Sequence, residues 1–333
     1  MVMSMVTACV GTPDTPRPAT ATALPAPPAS ATPAPTVVMA LSPLTSEQAQ
    51  KTSGAFLAEQ LSKLTGFKVV VTQPRNYATL IQAMGENTVQ VGWLPPFAYV
   101  VAHEQGYANA GLATLQAGTA RRGVQFMANA DWLVASAISL TQPLTPTDII
   151  TPTVEPSVTA TPIATDDLAA LRQLAGKRPC WVEPTSTSGY LVPLGILKLA
   201  GITTTAGTFV NTSGEVVRAL YENPTGETCE FGATFIDARH GMSLLDLNTR
   251  VVVVYFSAPI IPFDTVAYAD GFPAAQREAL TTALLTLAQT EAGQRALKDV
   301  YDVDGLTRSD DKFYNAFRLY IDAAGVDPVE LIE

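Results

Sequence analysis

Glu183-Pro184-Thr185-Ser186-Thr187-Ser188-Gly189-Tyr190 stands where one pattern gives way to another. Before it, Cys180-Trp181-Val182 reads as a short strand; after it, residues 191–200 read as a helix. Three adjacent hydroxyls and a glycine at a helix start suit a tetrahedral oxyanion. The first turn of a helix leaves N–H groups unpaired and carries the positive end of the dipole. Ser186 is placed to cap that turn, and an oxyanion takes the remaining donors. Gly189 puts no side chain in the way of the approach. A plain helix cap is the competing reading of the same residues.

The strand-to-helix alternation continues on both sides. Residues 37–41, 67–72, 89–93, 112–116 and 124–128 read as strands, with helices over 45–64, 77–84 and 95–104. The first helix has Phe56, Leu57, Leu61 and Leu64 spaced for one apolar face and Gly66 as its stop. A second set has strands at 180–182, 208–210, 229–235 and 251–256, with helices over 188–200, 214–221 and 238–245. The remainder is largely helical, over 273–291 and 310–324, and Pro273 suits a first turn. This order predicts an α/β fold with mainly parallel sheet covered by helices on both faces. Between the sets, residues 139–165 are rich in Thr and Pro and read as a surface insertion, or else as a strand pair with prolines at its edges. No internal repeat recurs at a fixed period.

The chain has 333 residues, 47% hydrophobic and only 15% charged, which allows two domains with a large buried core. Its formal charge of -10 argues against nucleic acid, which needs a basic footprint. It also means that local donors must hold any anionic ligand against the global field. No apolar run approaches a membrane span; the longest, 251–256, reads as a buried strand.

At the N-terminus, Val6-Thr7-Ala8-Cys9 matches a bacterial lipobox, which makes Cys9 a lipidation candidate. Residues 11–35 are almost entirely Thr, Pro and Ala and read as a tether. Residues 1–35 are thus expected to be a truncated lipoprotein signal and tether, against the alternative of a disordered tail with an incidental cysteine. Cys180 and Cys229 each open a strand-like run. If those strands are parallel neighbours, a disulfide fits; otherwise the two are buried thiols. The two histidines, His103 and His240, have no ligand-spaced companions, so no metal site is expected, and both read as surface or helix-end residues.

From about residue 37 to 320 the chain resembles the phosphonate/phosphite-binding proteins of bacterial ABC importers. The resemblance rests on the run 184–193, on Gly232-Ala233-Thr234 and on Ile260-Ile261-Pro262-Phe263-Asp264. Tyr77, Leu80, Ile81, Ala83 and Met84 add to it, as does the run 91–96. It implies a type II periplasmic-binding-protein fold, two Rossmann-like lobes joined by a two-crossover hinge. Lobe 1 would be 36–123 with 257–333, and lobe 2 would be 124–256. The ligand would sit between them, where strand ends face one another. By the same resemblance Ser186, Thr187 and Ser188 look like the anion cradle, Tyr77 like a donor from the opposite lobe, and Asp264 and Asp237 like acids facing the ligand. Read alone, Asp264 is equally a turn residue, Asp237 a helix N-cap and Tyr77 a half-buried aromatic. Where relatives carry a histidine, the chain has Asn211-Thr212-Ser213-Gly214-Glu215, and Ser213 or Thr212 is the substitute donor. Where relatives often have a tyrosine, it has Arg121-Arg122; Arg121 is a candidate anion ligand, or the two are a solvated surface pair.

The implied function is an exported receptor that passes a small phosphorus oxyanion to an ABC transporter permease. It would be monomeric, without a cofactor, and held to the membrane only by a lipid anchor. A sensor or adaptor of the same fold, signalling through a separate membrane partner, is the alternative. An enzyme is the third reading, but no nucleophile–base pair and no Gly-rich nucleotide loop is present in the sequence.

Overall fold

The computed structural model describes residues 34–43, 45–136 and 165–326. Cys9, the tether through residue 33 and residues 137–164, which include the Thr/Pro-rich stretch up to residue 164, lie outside the described residues.

In chain order the strands are β1 (Thr36–Ala40), β2 (Lys68–Thr72), β3 (Val91–Leu94) and β4 (Ala108–Leu115). Then come β5 (Arg121–Arg122), β6 (Val124–Asn129), β7 (Pro179–Trp181), β8 (Thr208–Phe209) and β9 (Phe231–Phe235). The last four are β10 (Val251–Phe256), β11 (Ile261–Pro262), β12 (Thr265–Ala269) and β13 (Gly305–Arg308). They form two larger sheets, ordered β13-β4-β12-β3-β1-β2 and β10-β6-β9-β7-β8, and a ribbon of β5 with β11.

Both larger sheets follow one plan. Three strands run parallel, β2-β1-β3 in the first and β8-β7-β9 in the second. Next to each trio lies one antiparallel strand, β12 beside β3 and β6 beside β9. Beyond it lies β4 in the first sheet and β10 in the second. The sheets are therefore mixed, not mainly parallel. The antiparallel member in each case is a strand that the chain lays down as it crosses from the other sheet.

Side chains alternate across these strands. On β6, Val124, Phe126 and Ala128 pack with Phe231, Ile196 and Leu197, while Met127 faces Val216, Val217 and Leu220 on the other side. The first sheet has its own core, in which Trp93 stacks on Tyr301 with ring centroids 3.6 Å apart. Cys180 on β7 and Cys229, just before β9, form a disulfide with Cα atoms 5.4 Å apart. It ties the parallel neighbours that place Cys180 beside Gly232.

Several elements differ from the sequence expectation. Residues 238–245 form turns, because Asp237, Gly241 and Asp246 all take left-handed backbone; the helix there is Leu247–Arg250. The stretch 273–291 is the helix Ala274–Leu287, and a separate helix, Glu291–Tyr301, begins after the cap Thr290. Strands β5, β11, β12 and β13 are additions. The terminal helix Asn315–Ala324, expected with lobe 1, packs on Val192–Leu199 of the second sheet instead. Phe317, Tyr320 and Ile321 join the cluster of Ile196 and Leu197. Lys198 Nζ donates to the Ala324 carbonyl at 2.6 Å. The two helices approach so closely at Gly195 that a Cβ there would overlap the Tyr320 carbonyl.

Two outcomes test this packing. Gly195→Ala must push the two helices apart and should cost about 2 kcal/mol, read by urea unfolding. The double change Cys180→Ser with Cys229→Ser should cost about 2–4 kcal/mol in the same measurement, since the bridge closes a loop of 49 residues.

Candidate functional site

The parallel trio of the second sheet ends in three loops on one edge. After β7 comes the hydroxyl run. Ser186 caps the turn, its Oγ accepting from Gly189 N at 3.1 Å. Thr187–Leu191 is a π-helical turn, in which Tyr190 N and Leu191 N both donate to the Ser186 carbonyl at 3.0 Å. Pro193 has no N–H to offer the Gly189 carbonyl, which accepts from Val182 N at 3.2 Å instead. Thus the turn is tied back to its own strand. Among the described residues, the N–H and hydroxyl groups of Thr187 and Ser188 have no hydrogen-bond partner. Gly189 serves the protein's own packing: a Cβ there would overlap the Val182 side chain and come within 2.9 Å of Ser186 Oγ. What needs the space is Val182, not a ligand's approach.

After β8, Asn211 takes left-handed backbone and Thr212 caps the helix Ser213–Glu222, accepting from Glu215 N at 3.1 Å. Ser213 is its first residue and is half-buried. After β9, Asp237 is exposed, with a φ of 67°, in a turn rather than at a helix N-cap. Its neighbour Arg239 is held by the Val251 carbonyl at 2.7 Å. Burial pulls the Arg239 guanidinium below its usual range, and Asp237 opposes that pull.

The first sheet presents a matching edge. Ser42 follows β1, and Tyr77 follows β2 as the first residue of the helix Tyr77–Gly85, which Asn76 caps. Their hydroxyls meet at 3.2 Å. Asp264 precedes β12, whose Thr265 pairs with Leu94 at the end of β3. All three residues therefore lie where the parallel strands finish.

The ribbon joins the two edges. Arg122 pairs with Ile261 and Arg121 with Pro262. Adjacent strand residues point opposite ways, and these two arginines have separate fates. Arg121 lies over the Phe313 ring, 3.6 Å from its centroid, and donates to the Phe313 carbonyl at 3.0 Å. Arg122 lies 5.5 Å from the centroid of Phe263, and its charge acts on Asp264. Both are half-buried, so they are not a solvated surface pair. At the adjacent Gly123, a Cβ would come within 2.8 Å of both the Ser257 carbonyl and Ile236, the residue before Asp237. The end of β9 thus rests on the ribbon, next to Arg122.

Charge at this junction follows from burial. Asp264 keeps part of its surface open, yet protein surrounds its carboxyl, and desolvation lifts its pKa from 3.8 to about 6. Arg122 opposes the rise without cancelling it. Burial likewise pulls the Arg122 guanidinium below its usual range, and Asp264 offsets part of that. Burial also raises the Tyr77 hydroxyl; the bond to Ser42 lowers it, and Asp264 raises it further. The structure therefore groups Tyr77, Asp264 and Arg122 on one side, and Ser186, Thr187, Ser188, Ser213 and Asp237 on the other edge. Arg121, the arginine singled out from the sequence, is turned away to Phe313. His103 sits in the last turn of Pro96–Glu104, with Nδ1 2.9 Å from the Ala108 carbonyl and Nε2 3.2 Å from Asp311; His240 lies exposed in a turn. Among the described residues no cluster of three His, Cys, Asp or Glu side chains is placed to hold a metal ion, and no helix is long and apolar enough to cross a membrane.

A family model for the periplasmic substrate-binding protein of phosphonate ABC transporters matches residues 39–314. The chain belongs to that family. It is 27% identical over 204 residues to the phosphate-import protein PhnD of Mycolicibacterium smegmatis. That match covers 60% of this chain and only about half of the relative, 50%. Among solved structures, XAC2383 from Xanthomonas citri bound to ATP superposes with a TM-score of 0.60 at 16% identity, covering 89% of this chain and 99% of that one. PhnD1 from Prochlorococcus marinus in complex with methylphosphonate gives 0.51 at 13% identity, covering 86% and 96%. Those likenesses are of fold: a type II periplasmic-binding-protein fold of two α/β sheets. The family is one of extracytoplasmic transport receptors rather than of enzymes.

The environment of Asp264 sets a pH test. The folded chain holds this proton more tightly than the unfolded chain does. Stability is thus lost as pH rises through about 6, and none of that loss is felt below about 4. Asp264→Asn should be more stable than the parent at pH 8, by about 2 kcal/mol, with the gain vanishing near pH 4, in urea unfolding of the ligand-free protein.

Proposed function

We propose that this receptor binds a small phosphorus oxyanion, a phosphonate, phosphite or similar, between the two sheet edges. The observation that carries the reading is the Thr187–Ser188 start of a capped turn, whose donors have no protein partner among the described residues. Donors at a helix start favour an anion through both geometry and dipole. In a chain of net charge -10, such local donors are what overcomes the overall field. Ser188 is buried, which strengthens its bond to an anionic oxygen by excluding water.

Tyr77 adds a hydroxyl from the first sheet, and Asp264 sets the ligand's proton content. A carboxylate against an anion is repulsive unless the ligand carries a P–OH or amino donor. A fully ionised anion such as sulfate would leave a buried carboxylate unpaired, at a cost of about 1–3 kcal/mol. Asp237 and Ser213 complete the second edge.

The parts then divide into lobe 1, residues 36–123 with 257–314, and lobe 2, residues 124–256 with the terminal helix. Supporting that division are the two strand crossings at β5–β6 and β10–β11, which make a hinge of few residues. Closure would bring the Tyr77 edge onto the Ser186 turn, and the closed receptor would deliver its ligand to an ABC permease. Cys9, if lipidated, holds the receptor at the membrane.

Calorimetry of the full chain with methylphosphonate, phosphite, phosphate and sulfate tests the proposal. Binding of the phosphorus anions with sulfate excluded is the expected result. Thr187→Ala should lower affinity tenfold or more with an unchanged melting temperature, because Thr187 does not cap the turn. Ser186→Ala should also cost about 1 kcal/mol of folding stability, as removal of a cap does. Parent-like binding by Thr187→Ala would exclude the turn as the anion cradle.

A further inference from the structure

We infer that Arg122 is the cationic ligand-binding residue of this site, reaching the oxyanion from the ribbon between the two sheets. The inference rests on the proposed anion site and adds to it a residue that the serine–threonine turn does not require.

Strand β5 is only two residues long. Its alternation sends Arg121 to Phe313, where the ring and the carbonyl both engage it. Arg122 goes the other way, beside Phe263. Its Nε is buried without a hydrogen-bond acceptor, and the residue forms no ion pair among the described residues. A guanidinium has five donors, stays charged and cannot shed its proton to relieve burial. Its nearest acid in charge terms is Asp264, which raises the arginine's proton affinity without closing a salt bridge to it.

A half-buried cation and an acid whose carboxyl is surrounded by protein, acting on one another without direct contact, form a matched pair of anchors. A tetrahedral phosphorus oxyanion carrying one proton satisfies both. Its ionised oxygen accepts from the Arg122 fork, and its P–OH donates to Asp264. Such a ligand lies next to Ile236 at the end of β9, since Gly123 brings that residue against the ribbon. Arg122 thus stands beside the point where the end of β9 meets the ribbon. Its charge also offsets the repulsion between Asp264 and an anion, which Tyr77 alone cannot do.

Arg122→Gln tests this in the full chain, by calorimetry at pH 7 with methylphosphonate, phosphite and phosphate. The expected result is a tenfold or greater loss of affinity for every one of these anions that the parent binds, with an unchanged melting temperature. Asp264→Asn should instead relax the exclusion of sulfate. Parent-like affinity in Arg122→Gln, while Thr187→Ala is weakened, would overturn the arginine's role and leave the anion site standing. A parent that binds none of the anions would overturn both. If Arg122→Gln does not fold, the parent itself supplies the reading: the Nε–H signal of Arg122 in a proton–nitrogen spectrum should shift on adding methylphosphonate. An unmoved signal at saturation would sink the inference.

Discussion

Val124 and Ser257 clasp the two crossings of the chain. Val124 N donates to Ser257 Oγ at 2.9 Å, and Ser257 N donates to the Val124 carbonyl at 2.9 Å. Gly123 has no side chain, so the strands lie close enough for both bonds to form. On one side of this clasp the chain enters β6, which pairs with the end of β9; on the other it leaves for β11 and β12, which pair with β5 and β3. Each sheet's parallel trio is thereby aimed with its finishing edge at the ribbon. Every candidate ligand group inherits its position from that arrangement.

The site that results is economical in charge. The chain is strongly acidic, and the proposed site would meet an anion on the second-sheet edge mainly with neutral donors from a turn start. Such donors lose little when an oxyanion is absent, because water reaches half-buried Thr187. Beside the ribbon the charged groups are Arg122 and Asp264. There, burial does two opposed things: it makes Asp264 reluctant to ionise, and it leaves Arg122 short of acceptors. The proposed ligand, an oxyanion that carries one proton, would relieve both tensions. That coincidence links electrostatics to selectivity more directly than the hydroxyl run does.

The terminal helix changes how motion would be distributed. Its close approach to Gly195 and the Lys198–Ala324 bond attach the chain's last described helix to the second sheet. Asp311, just before that helix, is held by Tyr99 Oη at 2.9 Å and by His103 from the first sheet's side, and by Arg318 from the helix itself. A third link therefore accompanies the two strand crossings. Any closure of one half on the other must bend residues 309–314 as well.

Much of this was legible from residue patterns alone. Hydrophobic periodicity located β1, β2, β6 and β10 to within a residue or two, because apolar strands between helices carry a strong local signal. The hydroxyl run and its cap were readable for the same reason, since capping is decided within four residues. Three features were not. The direction of β12 depends on where the chain returns, the seat of the terminal helix depends on a glycine in a distant helix, and the choice between Arg121 and Arg122 depends on which face of a two-residue strand meets Phe313. Local sequence thus determined the parallel strands and the capped turn at Ser186. Tertiary structure alone decided which arginine faces Asp264, because strand alternation offers two equivalent faces and only packing against distant residues distinguishes them.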